Sequence, residues 1–312
     1  MKILHLCLAS FYIDNYSYQE NILSYYHKLQ GNDVFILAST FSFDKNGHSC
    51  YLEASHEYEI EGIKIKRLAY KKGRIAKLLR IYKTDLKLEL ERILPDVIFI
   101  HGIQFSDIHK VATYARKHSS VRIFADNHAD FNNSATNFLS RNILHGIIWK
   151  RCAHIIEPYT EKFYGVTPAR VKFLERMYKL PKNKISFLPL GAEDDKVAMA
   201  STEISRKKYR DLLKVNDNDF VIITAGKIDN NKREIISLMK AIRMIGRNNV
   251  KLFVFGTVIP ELREDFSKQV DCEHVFYQGW LEPALTYYYF NAADLLVFPG
   301  KHSVYWEQAV GL

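Results

Sequence analysis

No stretch of this 312-residue chain approaches the roughly 20 consecutive apolar residues needed to span a bilayer. The amino-terminal run Ile3 to Ala9 follows a single lysine, Lys2, and is too short and too soon polar for a signal peptide. A cytosolic protein is the expectation, with any membrane contact made at the cytoplasmic face. Cysteine is scarce: Cys7, Cys50, Cys152 and Cys272 lie far apart without metal-ligand or redox spacing, which fits a reducing compartment. Acidic residues are in the minority, 35 against 44 Lys+Arg, and the resulting +9 favours an anionic partner: phosphate, anionic lipid or nucleic acid. Gly-x-Ser-x-Gly is missing, so a serine nucleophile has no support. The Gly-Lys-Ser/Thr ending of a phosphate-cradling loop and the dinucleotide glycine fingerprint are missing too. No nucleic-acid module is recognisable, and the basic residues gather on one segment without interleaved aromatics, so no nucleic-acid partner is expected. Asp217 and Asp219 could share a cation but precede their strand, at the wrong end of a sheet, and no metal is expected.

What is present is alternation of short apolar runs with helical patterns, free of tandem repeats. Ile3 to Leu8, a helix over Tyr18 to Gln30 with Ile22, Tyr26 and Leu29 on one face, and Val34 to Ala38 form a parallel strand–helix–strand unit. Strands are expected at Ile63 to Leu68, Pro95 to His101, Val121 to Ala125, His154 to Pro158 and Ile185 to Pro189, with helices near Ser106 to His118 and Pro168 to Tyr178. A second series follows: Phe220 to Ala225, a helix carrying Ile235, Met239, Ile242 and Ile245, then Val250 to Phe255, Val275 to Gln278 and Asp294 to Phe298. The expected architecture is α/β with two doubly wound parallel sheets: a first domain over 1–193, a charged connection over 194–218, and a second domain over 219–312.

From Lys64 to Arg92 there are eleven Lys or Arg against three acids, with Ile75, Leu79, Tyr82, Leu86, Leu90 and Ile93 at helical spacing. This predicts an amphipathic helix with a basic side, either an ordinary solvated face or a contact with anionic lipid.

Chemistry is expected where strands end. Gly226-Lys-Ile-Asp-Asn-Asn-Lys232 follows a strand directly; the glycine admits a ligand close to the backbone, and Lys227 and Lys232 could hold a diphosphate. Leu295 to Phe298 is stopped by Pro299-Gly300, and Lys301, His302 and Ser303 lead to a helix start near Trp306, a polar loop suited to an anion. Glu307, in the first turn, is either a helix-capping acid or a carboxylate for two sugar hydroxyls. In Asp126-Asn-His-Ala-Asp130, His128 is either satisfied by backbone or placed to touch a reacting sugar.

Taken together, Pro95-Asp-Val-Ile-Phe-Ile-His-Gly102, Val166-Thr-Pro with Lys184 to Gly191, Gly226 to Lys232, Gln278-Gly-Trp, Ala292 to Pro299 and Trp306-Glu-Gln-Ala309 resemble, in order, the retaining glycosyltransferases of family 4. The resemblance covers essentially the whole chain. It implies the GT-B fold, two such domains facing a cleft, and a second domain that binds a nucleotide-sugar. Lys227 and Lys232 would hold the diphosphate, Glu307 the ribose, and His128 the donor sugar; Gly226, His302 and Ser303 would complete the donor site. Lys227 stands where the family usually has arginine. The first of the family's two glutamates would fall at position 299, which is Pro299, and the loop Ala9 to Tyr16 lacks the usual glycine pair. The chain also ends inside the helix that Trp306 begins, so a partial second domain is expected.

The implied activity is a hexosyltransferase: transfer from a UDP- or GDP-linked sugar, the substrate and not a cofactor, to a glycan or lipid-linked saccharide in surface-polysaccharide or capsule biosynthesis. A non-catalytic subunit partnering an active enzyme, or an epimerase of the same fold, are the competing readings.

Overall fold

The computed structural model describes residues 1–44, 48–53, 56–301 and 303–312. They divide into two compact units: Met1–Asp14, Tyr18–Phe43 and Ser49–Leu190 in the first, and Gly191–Leu312 with Asn15–Ser17, Asp44 and His48 in the second.

The first unit runs β1 (Lys2–Cys7), α1 (Gln19–Leu29), β2 (Asp33–Ser39), β3 (Phe41–Phe43), β4 (Ser49–Tyr51), β5 (Glu57–Ile60), β6 (Ile63–Leu68), α2 (Arg74–Leu78), α3 (Leu86–Ile93), β7 (Val97–His101), α4 (Ile108–Lys117) and β8 (Arg122–Asn127). A wide π-type helix, Leu139–Trp149, leads into α5 (Lys150–Ile156); β9 (Thr160–Gly165), α6 (Pro168–Phe173) and β10 (Ile185–Phe187) complete it. The main sheet has the order β10-β9-β8-β7-β1-β2-β6-β5, parallel throughout except that β5 is antiparallel to β6. Its central strands are buried on both faces, as parallel strands flanked by helices must be. Leu4, Leu6, Ile98, Ile100, Ile123 and Ala125 join Ile108, Val111 and Ala115 of α4 in the larger core. The alternate positions of β1, His5 and Cys7, are equally buried.

The second unit contains α7 (Asp194–Ala200), α8 (Glu203–Leu212), β11 (Phe220–Ala225), α9 (Glu234–Ile245), β12 (Val250–Phe255), α10 (Arg263–Ser267), β13 (Val275–Gly279), α11 (Thr286–Ala292), β14 (Leu295–Leu296) and α12 (Tyr305–Val310). Its sheet, β13-β12-β11-β14, is all parallel. Ile222, Leu252 and Val254 pack on Ile235, Met239 and Ile242 of α9 on one face. Val221, Ile223 and Phe253 pack on Tyr209, Leu213 and Phe290 on the other.

Several expectations are corrected. The segment 194–218 holds α7 and α8 and belongs to the second unit, which begins at Gly191. Charge made it look like a connection, yet its cations are used internally: Arg206 and Arg210 both grip Asp294, which also accepts from the Val221 N–H at 2.7 Å. The basic segment is not one helix. Lys64 to Leu68 lie in β6, only Arg74–Leu78 and Leu86–Ile93 are helical, and Tyr70 and Tyr82 pair as an antiparallel bridge between them. Asp85 caps α3 by accepting from the Lys87 N–H, which fixes the break. Lys66 is paired with Glu57 and Glu89, Arg67 is fully buried, and Arg80 donates to the Gln104 carbonyl, while Lys71, Lys72, Arg74, Lys77, Lys83 and Lys87 are exposed. His154 lies in α5, and the strand expected there is β9, farther on. On α1 the buried side chains are Gln19, Glu20 and Ser24, while Leu29 is exposed. No helix among the described residues is long and apolar enough to cross a membrane.

Candidate functional site

In the second unit the chain leaves β11 outward to β12 and β13, then returns to set β14 on the other side of β11. Such a reversal opens a crevice at the carboxyl ends of the strands, the usual ligand position in a doubly wound sheet. Glycine stands there repeatedly: Gly226 follows β11, Gly256 follows β12, Gly279 ends β13 and Gly300 follows β14. Gly226 and Gly256, at φ +131° and +127°, hold conformations that other residues avoid. The Gly226 N–H donates to the Phe255 carbonyl at 3.1 Å and the Gly256 N–H to the Gly279 carbonyl at 2.6 Å, so three loops are stitched edge to edge. The Tyr277 hydroxyl closes the seam by donating to the Gly256 carbonyl at 2.7 Å.

Lys232 bends back over this floor. Asp229 makes the turn, accepting from the Asn231 N–H on its side chain at 2.8 Å and from the Lys232 N–H on its carbonyl at 2.9 Å. A Cβ built on Gly226 would lie 2.8 Å from Lys232 Nζ and 3.8 Å from Tyr305 Cε2. Gly300 rests on the same turn, its Cβ position 3.0 Å from the Asn231 carbonyl oxygen and 3.3 Å from Lys232 Cα. The structure thus brings Gly226, Lys232, Gly300 and Tyr305 together. Burial pulls the Lys232 ammonium below the usual lysine range, with Asp229 opposing, so an anion arriving here would be met by a half-desolvated cation. Lys227 is exposed on the next residue after Gly226, Ser303 is half-buried, and Glu307 is half-buried in the first turn of α12, two residues beyond Tyr305. His302 lies outside the described residues. Beside Gly256 is a groove of about 770 Å³ lined by Thr257, Val258, Phe266, Tyr277 and Trp280 with Arg263.

In the first unit the order reverses between β1 and β7, and His128 stands just after β8, next to β7. Its loop is tightly tied: Asp130 accepts from the N–H groups of Asn132 and Asn133, and the Asn133 amide donates to the His128 carbonyl at 2.7 Å. The His128 side chain is not satisfied by backbone. Its Nε2 is buried, with Asp126 Oδ1 at 3.3 Å as an ion-pair contact, long for a hydrogen bond. Burial opposes charge on His128, but Asp126 outweighs it and lifts the imidazole above the ordinary histidine value.

Sequence context marks Gly300 only as a strand stop and does not single out Tyr305, Gly256 or Asp126. The recurrence of glycine at the carboxyl end of each strand of the second series is the available signal for Gly256.

No family model and no curated protein matches the chain. Solved structures do. Anabaena HepE in complex with UDP-glucose is 13% identical, with a TM-score of 0.60 over 96% of this chain and 74% of that one. Sucrose-phosphate synthase from Thermosynechococcus elongatus is 13% identical, at 0.60 over 96% and 75%. WaaG, a glycosyltransferase involved in lipopolysaccharide biosynthesis, is 14% identical, at 0.60 over 99% and 78%. At these identities the likeness carries the fold, and the chain has the α/β GT-B fold expected from its sequence.

Proposed function

We propose that this protein transfers a hexosyl group from a nucleoside diphosphate sugar to a hydroxyl of a glycan or lipid-linked saccharide. The reading includes family 4, retention at the anomeric carbon and a role in surface-polysaccharide synthesis. The observation that carries it is the placement of Lys232 over the side-chain-free floor of Gly226, where a diphosphate can approach both the backbone and an ammonium group. Lys232, joined by Lys227, stabilises the charge that develops on the leaving diphosphate. The groove beside Gly256, with Tyr277 and Trp280, offers aromatic surface to the base. Glu307 accepts from ribose hydroxyls, and Ser303 completes the donor site. The structural neighbour HepE is in complex with UDP-glucose, which supports this choice of substrate class.

Thermal unfolding with UDP, GDP and their hexose conjugates is the test. A ligand at 100 times its dissociation constant adds about 2.7 kcal/mol to stability, several degrees in Tm. Stabilisation by a nucleotide and release of UDP or GDP in the presence of acceptor support the enzyme. Stabilisation by none favours the non-catalytic subunit.

A further inference from the structure

The middle of the basic segment holds a feature that sugar transfer does not by itself explain. Residues 70–82 form a finger with a rigid neck. Tyr70 and Tyr82 pair across it with their rings stacked at 4.9 Å. Two backbone hydrogen bonds flank the pair, the Lys71 N–H to the Ile81 carbonyl at 2.8 Å and the Lys83 N–H to the Ala69 carbonyl at 2.9 Å. Tyr82 is buried and welds the neck to the first unit, its hydroxyl donating to the Leu8 carbonyl at 2.6 Å and its N–H to the Asp107 carboxylate at 2.9 Å. Leu8 follows β1 directly, so the finger stands at the carboxyl end of the main sheet. Its inner side is used up: the Leu79 carbonyl accepts from the Ser106 N–H at 3.0 Å, and the Arg80 guanidinium lies 5.9 Å from the Trp149 ring.

The tip is built the opposite way. Gly73, at φ +104°, opens α2, and α2 buries none of its side chains. Ile75 is 73% exposed and Leu78 54%, three residues apart on one face, with Arg74 and Lys77 beside them. Lys71 and Lys72 lead in, Lys83 follows, and residues 68–84 contain no Asp or Glu. Lys77 Nζ lies 4.2 Å over the Tyr51 ring, and ring contacts at 5.9 and 4.5 Å continue from Tyr51 through Phe41 to Phe11. Tyr51 and Phe11 are both half exposed. A helix this short is unstable by itself in water, and with no side chain in the core it gains little from its own unit.

The charge and the apolar tip together choose the occupant. A bilayer with anionic headgroups takes aliphatic side chains at the acyl boundary, aromatic rings at headgroup level, and Lys and Arg on its phosphates. A nucleic acid would use the cations but leave Ile75 and Leu78 in water. A second copy placed face to face would set like charges against each other. We propose that this finger, with Ile75 and Leu78 at its tip and Lys71, Lys72, Arg74 and Lys77 around them, docks the protein on an anionic lipid bilayer. Docking stands independently of the function proposed above; that an acceptor is drawn from the same bilayer rests on that function.

The test is co-sedimentation of the full chain with phosphatidylcholine vesicles, with and without about one quarter phosphatidylglycerol. Binding to the anionic vesicles should be at least about tenfold tighter and should weaken as salt rises from about 0.1 to 1 M. Each lysine near such a surface is worth about fivefold, so Lys71→Gln, Lys72→Gln and Lys77→Gln together should cost on the order of 100-fold. Ile75→Ser with Leu78→Ser should cost about tenfold or more at unchanged Tm, because both side chains are exposed in the free protein. Equal binding to the two kinds of vesicle overturns the proposal. So does anionic binding that survives the Ile75→Ser, Leu78→Ser pair, which would mark a site for any polyanion. A wild-type dimer in size-exclusion chromatography that the same pair dissolves would assign the finger to a second copy and overturn it too. Lack of nucleotide-sugar binding would sink the transfer reading and leave the vesicle result standing.

Discussion

Gly256 is packed onto the Gly226 carbonyl so closely that a Cβ at 256 would fall well inside van der Waals contact with that oxygen. Neither partner can yield, because both are backbone and both are pinned by hydrogen bonds to the neighbouring loops. Gly256→Ala should therefore cost about 2–4 kcal/mol, combining overpacking with a φ that alanine resists. Gly246, also at positive φ (+59°) but with nothing nearer than 3.7 Å, is the control, and Gly246→Ala should cost only about 1 kcal/mol. Urea unfolding of both variants checks the contrast. Equal losses would mean that conformation and not contact dominates at Gly256.

Lys232 should separate stability from activity. Its folded pKa is lowered, so the folded state binds this proton less readily than the unfolded chain does. By linkage the charged lysine weakens the fold at neutral pH, and the loss is recovered only as pH rises toward the ordinary lysine value. Lys232→Met, which keeps the apolar stem, should leave Tm unchanged or higher while cutting transfer by roughly 100-fold or more. Calorimetry and turnover with a nucleotide-sugar measure the two effects; a falling Tm with unchanged turnover would refute the assignment.

The contrast between Lys232 and Asp126 shows what was legible in the sequence. Strands β1, β2, β7, β11 and β12 announce themselves as apolar runs between turn residues, and α9 by its spacing, so the fold class and the glycine–lysine turn could be found from local pattern. The relation of His101 to Asp126 could not, because it depends on the register of β7 against β8, twenty-five residues apart. The basic segment misled for a related reason: helical spacing from Ile75 to Ile93 is real, but tertiary pairing through Tyr70 and Tyr82 and the Asp85 cap override it. Likewise α1 buries Glu20 and Ser24, polar groups that an amphipathic reading assigns to water.

Arg67 is another buried charge of the first unit, fully covered. Its guanidinium donates to Asp14 at 2.7 Å, to the Tyr58 hydroxyl at 2.8 Å and to the carbonyls of Tyr12 and Ser39 at 2.7 and 3.2 Å. Arg67→Met fills the space but leaves those acceptors dry, and should cost about 3–5 kcal/mol. Asp14→Asn should cost less, since Asp14 is partly solvated. A double variant no less stable than Arg67→Met alone is expected from urea unfolding, because the pair acts as a unit.

Acid should destabilise the first unit in two stages. His5, His27 and His145 have lowered pKa values, His145 falling to about 4 chiefly through burial, with Arg80 adding to it. The unfolded chain therefore takes up protons near pH 6.5 that the folded chain refuses, and by linkage stability falls as pH drops from about 6.5 toward 4. Asp126, whose folded pKa is depressed, adds stability that is present above about pH 4 and is lost only as pH falls further. His128 works the other way: its raised pKa contributes stability that is complete below about pH 6.5 and fades as pH rises through its folded value. His145 bridges the Ser134 hydroxyl and Tyr178 hydroxyl, both at 2.8 Å, so His145→Asn should lower stability at pH 7 yet flatten its decline between pH 6.5 and 4. Urea midpoints at half-unit pH steps for both proteins give the comparison; parallel curves would show that His145 is charged in the folded state.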